Sequence, residues 1–393
     1  MPTIVLTLAL PEATGAPKMA YCFARALRRA GHDVILAHGP EPSGNSKSSD
    51  QSILGPMRDV GVQTEAVDGL VFPLGSAVSR RVAEITRANQ AACVIGFQQR
   101  DRAVALQAAH RAGVAGIISA QNQHTFRGSW PVRKLKQWIY TRAVSRLADL
   151  VICPAQIVRD ELVETFGVPL ERTAILPNGV DVAGFPDFDL NSKRRVRGEF
   201  KVDDTQIMLV SVGRIDTQKG YDVLLRALHR LPAQSKLVKL VVAGGITTGA
   251  TAKQMRRYEA GLHKFVADTD LHKQVSFAGW RNDCPLLLRA ADVYVHPARW
   301  EGWPLAVVEA MSAELPTVMT DCSGRPQGYV DSEHGYVVPT EDADALSRAM
   351  TRVIDATSDE RHRMGKAARA LALQYYDIKS IGERFVQLVE DVL

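Results

Sequence analysis

Two layered α/β domains, each built on a parallel sheet, are what this sequence predicts, and three observations predict them. The chain has 393 residues, too many for one comfortable core and suited to two domains of ordinary size. Strand-like and helix-like stretches alternate almost throughout, the pattern of parallel sheets covered by helices. The series also restarts: a second strand, loop, helix and strand begin at Gln206, after a polar stretch.

Taken in order, residues 3–10 read as a buried strand, 11–16 as a loop and 17–30 as a helix. Pro17 suits its first turn and Gly31 its stop. A second strand follows at 33–37, and residues 40–52, rich in Pro, Gly, Ser, Asn and Asp, read as a mobile loop. Residues 187–197 are polar and suit a linker. Beyond them, 206–213 is a strand, 214–219 a loop, 221–231 a helix and 237–243 a strand. Strands at 274–278 and 292–296 precede a helix at 304–313, with Pro304 in its first turn. The expected domains are therefore 1–185 and 190–373, with a closing segment at 374–393. No repeat of 20–50 residues is visible, which excludes solenoids and propellers.

Composition narrows the function classes. Apolar residues at 46% and charged residues at 23% are the balance of a soluble globular protein. No run approaches the roughly 18 to 20 apolar residues that a membrane-spanning helix needs. No basic region precedes an apolar one at the start, so a secretory signal is not expected. Five scattered cysteines without a Cys-x-x-Cys disfavour a disulfide framework or a zinc site and point to a reducing cytosol. The net charge of +5 is too small to imply nucleic-acid binding. All of it lies in residues 1–185, with 20 Lys+Arg against 15 Asp+Glu.

The excess concentrates where no acidic residue occurs, between Asp101 and Asp149, in Arg102, Arg111, Arg127, Arg133, Lys134, Lys136, Arg142 and Arg146. There Val132, Leu135, Ile139, Ala143 and Leu147 form an apolar stripe at helical spacing. The plain reading is an amphipathic helix packed on the first domain with a solvated basic face. The sharper one makes 127–146, with Trp130 and Trp138, a patch that meets anionic lipid or an anionic acceptor.

Two constellations carry chemistry. Gly213-Arg214-Ile215-Asp216-Thr217-Gln218-Lys219-Gly220 lies between a strand and a helix. Ligands of parallel sheets bind at the carboxyl ends of strands, near helix N-termini. Arg214 and Lys219 bring two cations there, as a diphosphate requires, although two surface cations beside a turn would look the same. In Glu301-Gly302-Trp303-Pro304-Leu305-Ala306-Val307-Val308-Glu309, one carboxylate sits in a loop and one inside the following helix. Carboxylates accept hydrogen bonds from the vicinal hydroxyls of ribose or a hexose. Three Asp-x-Asp triplets, at 187/189, 268/270 and 342/344, read as solvated or helix-capping residues away from the cations.

In this order, each at a strand end, the two constellations resemble the retaining glycosyltransferases of family 4. Ile175-Leu176-Pro177-Asn178-Gly179-Val180-Asp181, Asp292-Val293-Tyr294-Val295-His296-Pro297 and Gly335-Tyr336-Val337-Val338-Pro339 add to the likeness. The resemblance implies the GT-B fold, two facing Rossmann-like domains with a deep interdomain cleft. It also implies a closing helix, 378–393, that returns to the first domain. It makes Arg214 and Lys219 the donor-diphosphate pair, with Gly213 beside them. Glu309 would hold the ribose hydroxyls and Glu301 would face the donor sugar. Backbone groups of Gly302, Trp303, Pro304 and Leu305 would line the sugar and phosphate. Trp280 and Arg281 stand where such enzymes hold the nucleobase, and His124 near the histidine aimed at the donor sugar, with Gln121 or Asn122 as alternatives in that register. Gly15 is the candidate for the glycine beside the diphosphate after strand one. The family often has paired glycines there and Gly-Gly-x-Pro-Glu later. This chain reads Thr14-Gly15-Ala16-Pro17 and Ser323-Gly324-Arg325-Pro326-Gln327 instead, which bears on acceptor contacts and donor choice.

The implied reaction moves a sugar, most simply from a UDP-sugar, to a hydroxyl of a sugar, lipid-linked sugar or small metabolite, without metal or other cofactor and with retained configuration. Its setting would be polysaccharide or glycolipid assembly, in the cytoplasm or peripherally on the inner face of the membrane. A sugar-nucleotide epimerase, a phosphorylase or a non-catalytic glycosyltransferase-like subunit are the alternatives. A nicotinamide oxidoreductase is disfavoured, because no Gly-x-Gly-x-x-Gly follows strand one.

Overall fold

Strand and helix alternate along the chain in a computed structural model, which describes residues 1–12, 15–41, 52–70, 76–120, 130–187, 189–232, 237–246, 252–322 and 326–393. Contacts divide it into two units, Met1–Gly179 with Ile378–Leu393, and Val180–Asp377.

The first unit opens with β1 (Thr3–Leu8), α1 (Gly15–Arg29) and β2 (Asp33–His38). The strands are buried along nearly their whole length, as parallel strands covered on both faces require. Met19, Ala20, Phe23, Ala24 and Leu27 recur at helical spacing and form the buried face of α1. Then come α2 (Leu54–Asp59), β3 (Gln63–Ala66), α3 (Ser76–Ala88), β4 (Ala91–Gly96), α4 (Arg102–Ala112) and β5 (Ala115–Ser119). α5 (Trp130–Leu147), β6 (Leu150–Cys153), α6 (Gln156–Phe166) and β7 (Thr173–Ile175) complete the series. Among the described residues the sheet is seven-stranded and parallel, in the order β3-β2-β1-β4-β5-β6-β7. Its order reverses between β1 and β4.

The second unit runs through α7 (Leu190–Glu199), β8 (Ile207–Val212), α8 (Tyr221–His229), β9 (Val238–Ala243), α9 (Ala252–Asp268) and β10 (Val275–Gly279). α10 (Cys284–Ala290), β11 (Val293–His296), α11 (Leu305–Ser312), β12 (Thr317–Thr320), β13 (Gly335–Val338), α12 (Ala343–Asp355) and α13 (Ser358–Tyr376) follow. Its parallel sheet has the order β10-β9-β8-β11-β12-β13 and reverses between β8 and β11. Such reversals leave a crevice at the carboxyl ends of the two strands, where open α/β sheets place their ligands.

The last helix, α14 (Ile378–Glu390), packs on α1 of the first unit. Phe385 stacks on Phe23 with ring centroids 3.9 Å apart. A side chain at Gly382 would stand 2.9 Å from the Ala26 Cβ, so this glycine sets the close approach. The buried His32 adds a polar tie, its Nε2 lying 3.0 Å from Glu390 Oε1.

Two expectations need correction here. The boundary expected at 185–190 falls earlier, because Val180, Val182 and Phe185 already belong to the core of the second unit. Val180 N donates to the Tyr376 carbonyl at 2.9 Å, which sets the start and the end of that unit side by side. The linker expected at 187–197 is instead largely α7, capped by Asp189, whose carboxylate accepts from the Asn191 and Ser192 amides. Only Val196 and Arg197 of this helix are buried. Arg197 reaches Asp292 at 2.8 Å and also donates to the carbonyls of Ala290, Asp203 and Gln206. A helix held by one buried guanidinium shows no apolar stripe, so its sequence reads as a linker.

In α5 the expected stripe is right only in part. Ala143 is buried, but beside Tyr140 and Val144, whereas Leu135 is half exposed. Of the basic cluster, Arg102 is not on the surface: it is fully buried and donates to the Phe97 carbonyl at 3.0 Å and to the Tyr140 hydroxyl. Among the described residues no helix is long and apolar enough to cross a membrane.

Candidate functional site

The loop after β8 and the loop after β11 meet at the reversal of the second sheet. Thr217, Gln218 and Lys219 form a single 3-10 turn capped by Asp216, and Gly220 ends it at φ 65°. A Cβ on Gly220 would stand 2.0 Å from the Pro297 carbonyl oxygen, so only glycine lets the two loops close on each other. Arg299 fastens them. It donates to both oxygens of Asp222 at 2.8 and 2.7 Å and to the Thr217 carbonyl, and it pairs with Glu341. Its own N–H reaches the Gln218 carbonyl at 2.8 Å. The paired carboxylates hold its guanidinium above the ordinary arginine range.

Inside this frame, Lys219 Nζ forms a short contact with Glu301 Oε1, and both side chains are largely buried. Gln218 Nε2 donates to the Trp300 carbonyl at 3.0 Å and to Glu301 Oε2 at 3.3 Å. Arg214 Nη2 in turn donates to Gln218 Oε1 at 3.0 Å, while Asp216 lies 3.9 Å away. At 38% exposure the Arg214 guanidinium is the open cation of the group, and Lys219, at 15%, the enclosed one. His296, at the end of β11, completes the cluster from beneath. Its Nε2 is buried without a hydrogen-bond partner, 3.7 Å from Glu301 Oε1, and its Nδ1 lies 3.4 Å from the Tyr294 hydroxyl. Burial, and then the Lys219 ammonium, hold this imidazole well below its ordinary pKa, so it is neutral. Glu309 lies half-buried on α11, and its charge acts on the buried Tyr294 phenol, whose pKa burial has already raised. Arg214, Lys219 and Glu301 are thus linked through Gln218 at one strand-end crevice, and Glu309 stands on the helix that follows.

The flanking residues divide. Gly302 and Pro304 are buried, and Trp303 is partly buried against Tyr376, with ring centroids 5.3 Å apart. The Leu305 amide donates to the Trp303 carbonyl at 3.1 Å, so the expected contact with a ligand oxygen needs that bond to open. Gly213 ends β8, and a Cβ there would meet the Lys219 side chain at 3.0 Å. Trp280 is exposed beside Gly245, its Nε1 held by Asn282. The Arg281 guanidinium turns to Asp283, at 2.6 and 2.7 Å, and to Glu199 of α7 at 2.9 Å, over the Phe200 ring. Two carboxylates hold it as a brace for α7.

In the first unit, Gly15 is the exposed first residue of α1. His124, with Gln121 and Asn122, lies outside the described residues, as do Thr14, Ser323, Gly324, Arg325 and Arg127. Sequence reading missed Asp101. This carboxyl is fully buried at the β1/β4 reversal and accepts from Thr7 Oγ1 at 3.1 Å, Ala9 N at 2.8 Å and Phe97 N at 3.0 Å. Gln98 adds a pair of hydrogen bonds to Leu10 N and Leu10 O. Together they bind the β1–α1 loop to the β4–α4 loop. Burial pushes the Asp101 carboxyl up to about 7, against these donors and Arg102. Arg299, Gln218 and His296 were also missed. The only signal for them was position, within a few residues of Lys219 and Glu301.

Comparison with known families decides what this arrangement belongs to. The profile of Glycosyltransferase Family 4 matches residues 13–183, and that of Glycosyl transferases group 1 matches residues 192–371. The chain belongs to glycosyltransferase family 4. One relative within it is the UDP-Gal:alpha-D-GlcNAc-diphosphoundecaprenol alpha-1,3-galactosyltransferase of Escherichia coli. It is 25% identical over 63% of this chain and 62% of its own length. A second is the GDP-mannose-dependent alpha-(1-6)-phosphatidylinositol monomannoside mannosyltransferase of Mycolicibacterium smegmatis, 28% identical over 72% of each chain. In the Escherichia coli relative the match spans only about three-fifths of the protein. Among solved structures, Anabaena HepE in complex with UDP-glucose superposes with a TM-score of 0.82 over the whole of both chains, at 18% identity. WaaG, a glycosyltransferase involved in lipopolysaccharide biosynthesis, does so at 0.72 and 19%, over 98% of this chain and 99% of its own. These likenesses are of fold, and the fold is that of the GT-B glycosyltransferases.

Proposed function

We propose that this chain transfers a sugar from a nucleotide diphosphate sugar to a hydroxyl acceptor, with retention at the anomeric carbon, in glycan or glycolipid assembly. The carrying observation is the Arg214, Gln218, Lys219 and Glu301 cluster at the β8/β11 reversal. Arg214 and Lys219 are cations that a diphosphate would engage, and Glu301 and Glu309 are acceptors for sugar and ribose hydroxyls. Charge develops on the departing phosphate in the transition state, and fixed cations stabilise it where it appears. The phosphate itself takes the acceptor proton on the same face, so the reading needs no enzymic base and no metal ion. UDP is the favoured nucleotide, supported by the UDP-sugar partner of the Escherichia coli relative and the UDP-glucose in HepE. The GDP-mannose dependence of the mycobacterial relative makes GDP the competitor. Calorimetry with UDP and GDP, followed by NMR of the product's anomeric proton, tests this. Nucleotide binding and a retained anomer are expected; binding of neither nucleotide, or an inverted product, overturns the reading.

For the first unit we propose a surface of anionic lipid as partner. Along α5, Trp130, Lys134, Trp138, Arg142 and Arg146 follow one another at every fourth position on the exposed face. Trp130 and Trp138 are 66% and 56% exposed, Leu135 lies beside them, and the Arg142 guanidinium covers the Trp138 ring at 5.0 Å. Aromatic rings and basic groups on one face suit the headgroup boundary of a bilayer, and each basic residue adds about 1 kcal/mol there. A second copy of this face would bring the same charges and be repelled. Sedimentation with phosphatidylcholine vesicles, with and without phosphatidylglycerol, is expected to show at least tenfold preference for the anionic ones. Trp138→Ala with Arg142→Ala should abolish it. Equal binding to both vesicles, or binding only to a soluble anionic polysaccharide, overturns the proposal.

A further inference from the structure

Resting on the donor-site reading above, we infer that His296 is a positioning residue that takes over Glu301 when a nucleotide diphosphate draws Lys219 away. The inference begins from a conflict. Lys219 is the cation a phosphate would recruit, yet here it is held by Glu301. A lysine cannot serve both at full strength. When it turns to phosphate, a carboxylate only 7% exposed loses its charge partner and, among the described residues, keeps the Gln218 amide at 3.3 Å. An ionised carboxylate left so poorly paired in a buried site is costly.

A replacement donor is already in place. His296 is buried to 2% exposure, its Nε2 has no hydrogen-bond partner, and it stands 3.7 Å from the same oxygen that Lys219 holds. That distance is too long for a hydrogen bond, and a shift of well under 1 Å closes it. Buried polar atoms rarely stay unpaired, so an orphan aimed at a carboxylate calls for a state in which it is satisfied. The Tyr294 hydroxyl stands 3.4 Å from both the Val212 carbonyl and Nδ1; turning its one proton from the carbonyl to Nδ1 puts the ring proton on Nε2, facing Glu301. A neutral imidazole is the right donor for the task. It holds the carboxylate without adding a positive charge that would repel the sugar centre as it becomes cationic. Among the described residues, the charged and titratable groups facing Glu301 are Lys219 from the β8–α8 loop and His296 from β11. Its charge also acts on the buried phenols of Tyr221 and Tyr294.

Histidine NMR of the ¹⁵N-labelled chain, titrated with UDP or GDP, reads the exchange directly, with His296→Gln assigning the signal. Nucleotide should move the His296 Nε2–H signal downfield, as a new hydrogen bond to a carboxylate does. His296→Leu, which has no donor, should lower kcat at least tenfold while nucleotide affinity stays within twofold. His296→Gln, which can donate, should restore most of it. If neither nucleotide binds the wild-type chain, the donor-site reading and the exchange fail together. If a nucleotide binds and the His296 signal stays put, or His296→Gln behaves like His296→Leu, the exchange alone is overturned.

Discussion

The same topological position is filled in opposite ways in the two units. At the β8/β11 reversal, Lys219, Gln218 and His296 surround Glu301 with side-chain groups, the Arg214 guanidinium bonded to Gln218 is open to solvent, and His296 Nε2 is unsatisfied. At the β1/β4 reversal, Asp101 is enclosed completely and receives three backbone amides and the Thr7 hydroxyl, each within 3.2 Å. The first arrangement is mobile in principle, because long side chains can change partners. The second is closed, because backbone amides cannot. A doubly wound sheet offers the crevice; whether the crevice serves a charged ligand or a loop depends on which groups are left replaceable.

Four perturbations test that contrast. The largest effect should come from the cations. Arg214→Ala, and Lys219→Ala combined with Glu301→Gln so that no buried carboxylate is stranded, should each lower transfer by roughly two to three orders of magnitude. Unchanged cooperative melting would show that the fold survives, and unchanged turnover would dissolve the distinction between the two crevices. Next comes Asp101→Ala, which strands the Ala9 and Phe97 amides and should cost about 3 kcal/mol in urea unfolding. Nucleotide affinity, measured by calorimetry, should stay within twofold, since the lesion lies in the other unit.

The same carboxyl gives a pH signature. Its pKa of about 7 in the folded chain stands above the ordinary carboxylate value near 4. Between those values the folded state keeps a proton that the unfolded state has lost, so this group's contribution falls as pH rises from about 4 to 7. Asp101→Asn should flatten that slope in thermal melts; an unaltered slope would show that the amides and Arg102 outweigh burial. The smallest effect is expected from Glu309→Ala, roughly a tenfold weaker nucleotide complex by calorimetry, the size of one lost hydrogen bond to a charged group. Equal affinity would remove Glu309 from the site and sharpen the focus on the loop residues.

Much of this frame was legible. Strands and helices whose apolar residues repeat cleanly, such as β1, α1, β8, α8 and β9, fall within about two residues of the ranges read from the sequence. Arg214, Lys219 and Glu301 were singled out because charged residues beside glycines at strand ends are a local signal, and Glu309 because it follows Glu301 into the next helix. What escaped lacked such a signal. α7 is held by the buried guanidinium of Arg197, and the partner that makes Arg197 structural, Asp292, is far away in sequence. The Arg281 pairs with Glu199 and Asp283 were not legible either, since Glu199 is 82 residues away in sequence. The stripe on α5 was read with Leu135 inward, but Tyr140 and Val144 carry the buried face, and Leu135 faces outward with Trp130 and Trp138. His296 and Asp101 owe their character entirely to burial, which no neighbour in the sequence announces.

The pairing of Val180 with Asp377, and of α14 with α1, fixes an order of events during synthesis. The first unit leaves the ribosome first, yet Phe23 waits for Phe385 until the whole of the second unit has been translated. Nascent chains stalled between those points hold a finished second unit beside a first unit whose α1 is still uncovered. That interval is when this protein is most exposed to chaperones and proteases.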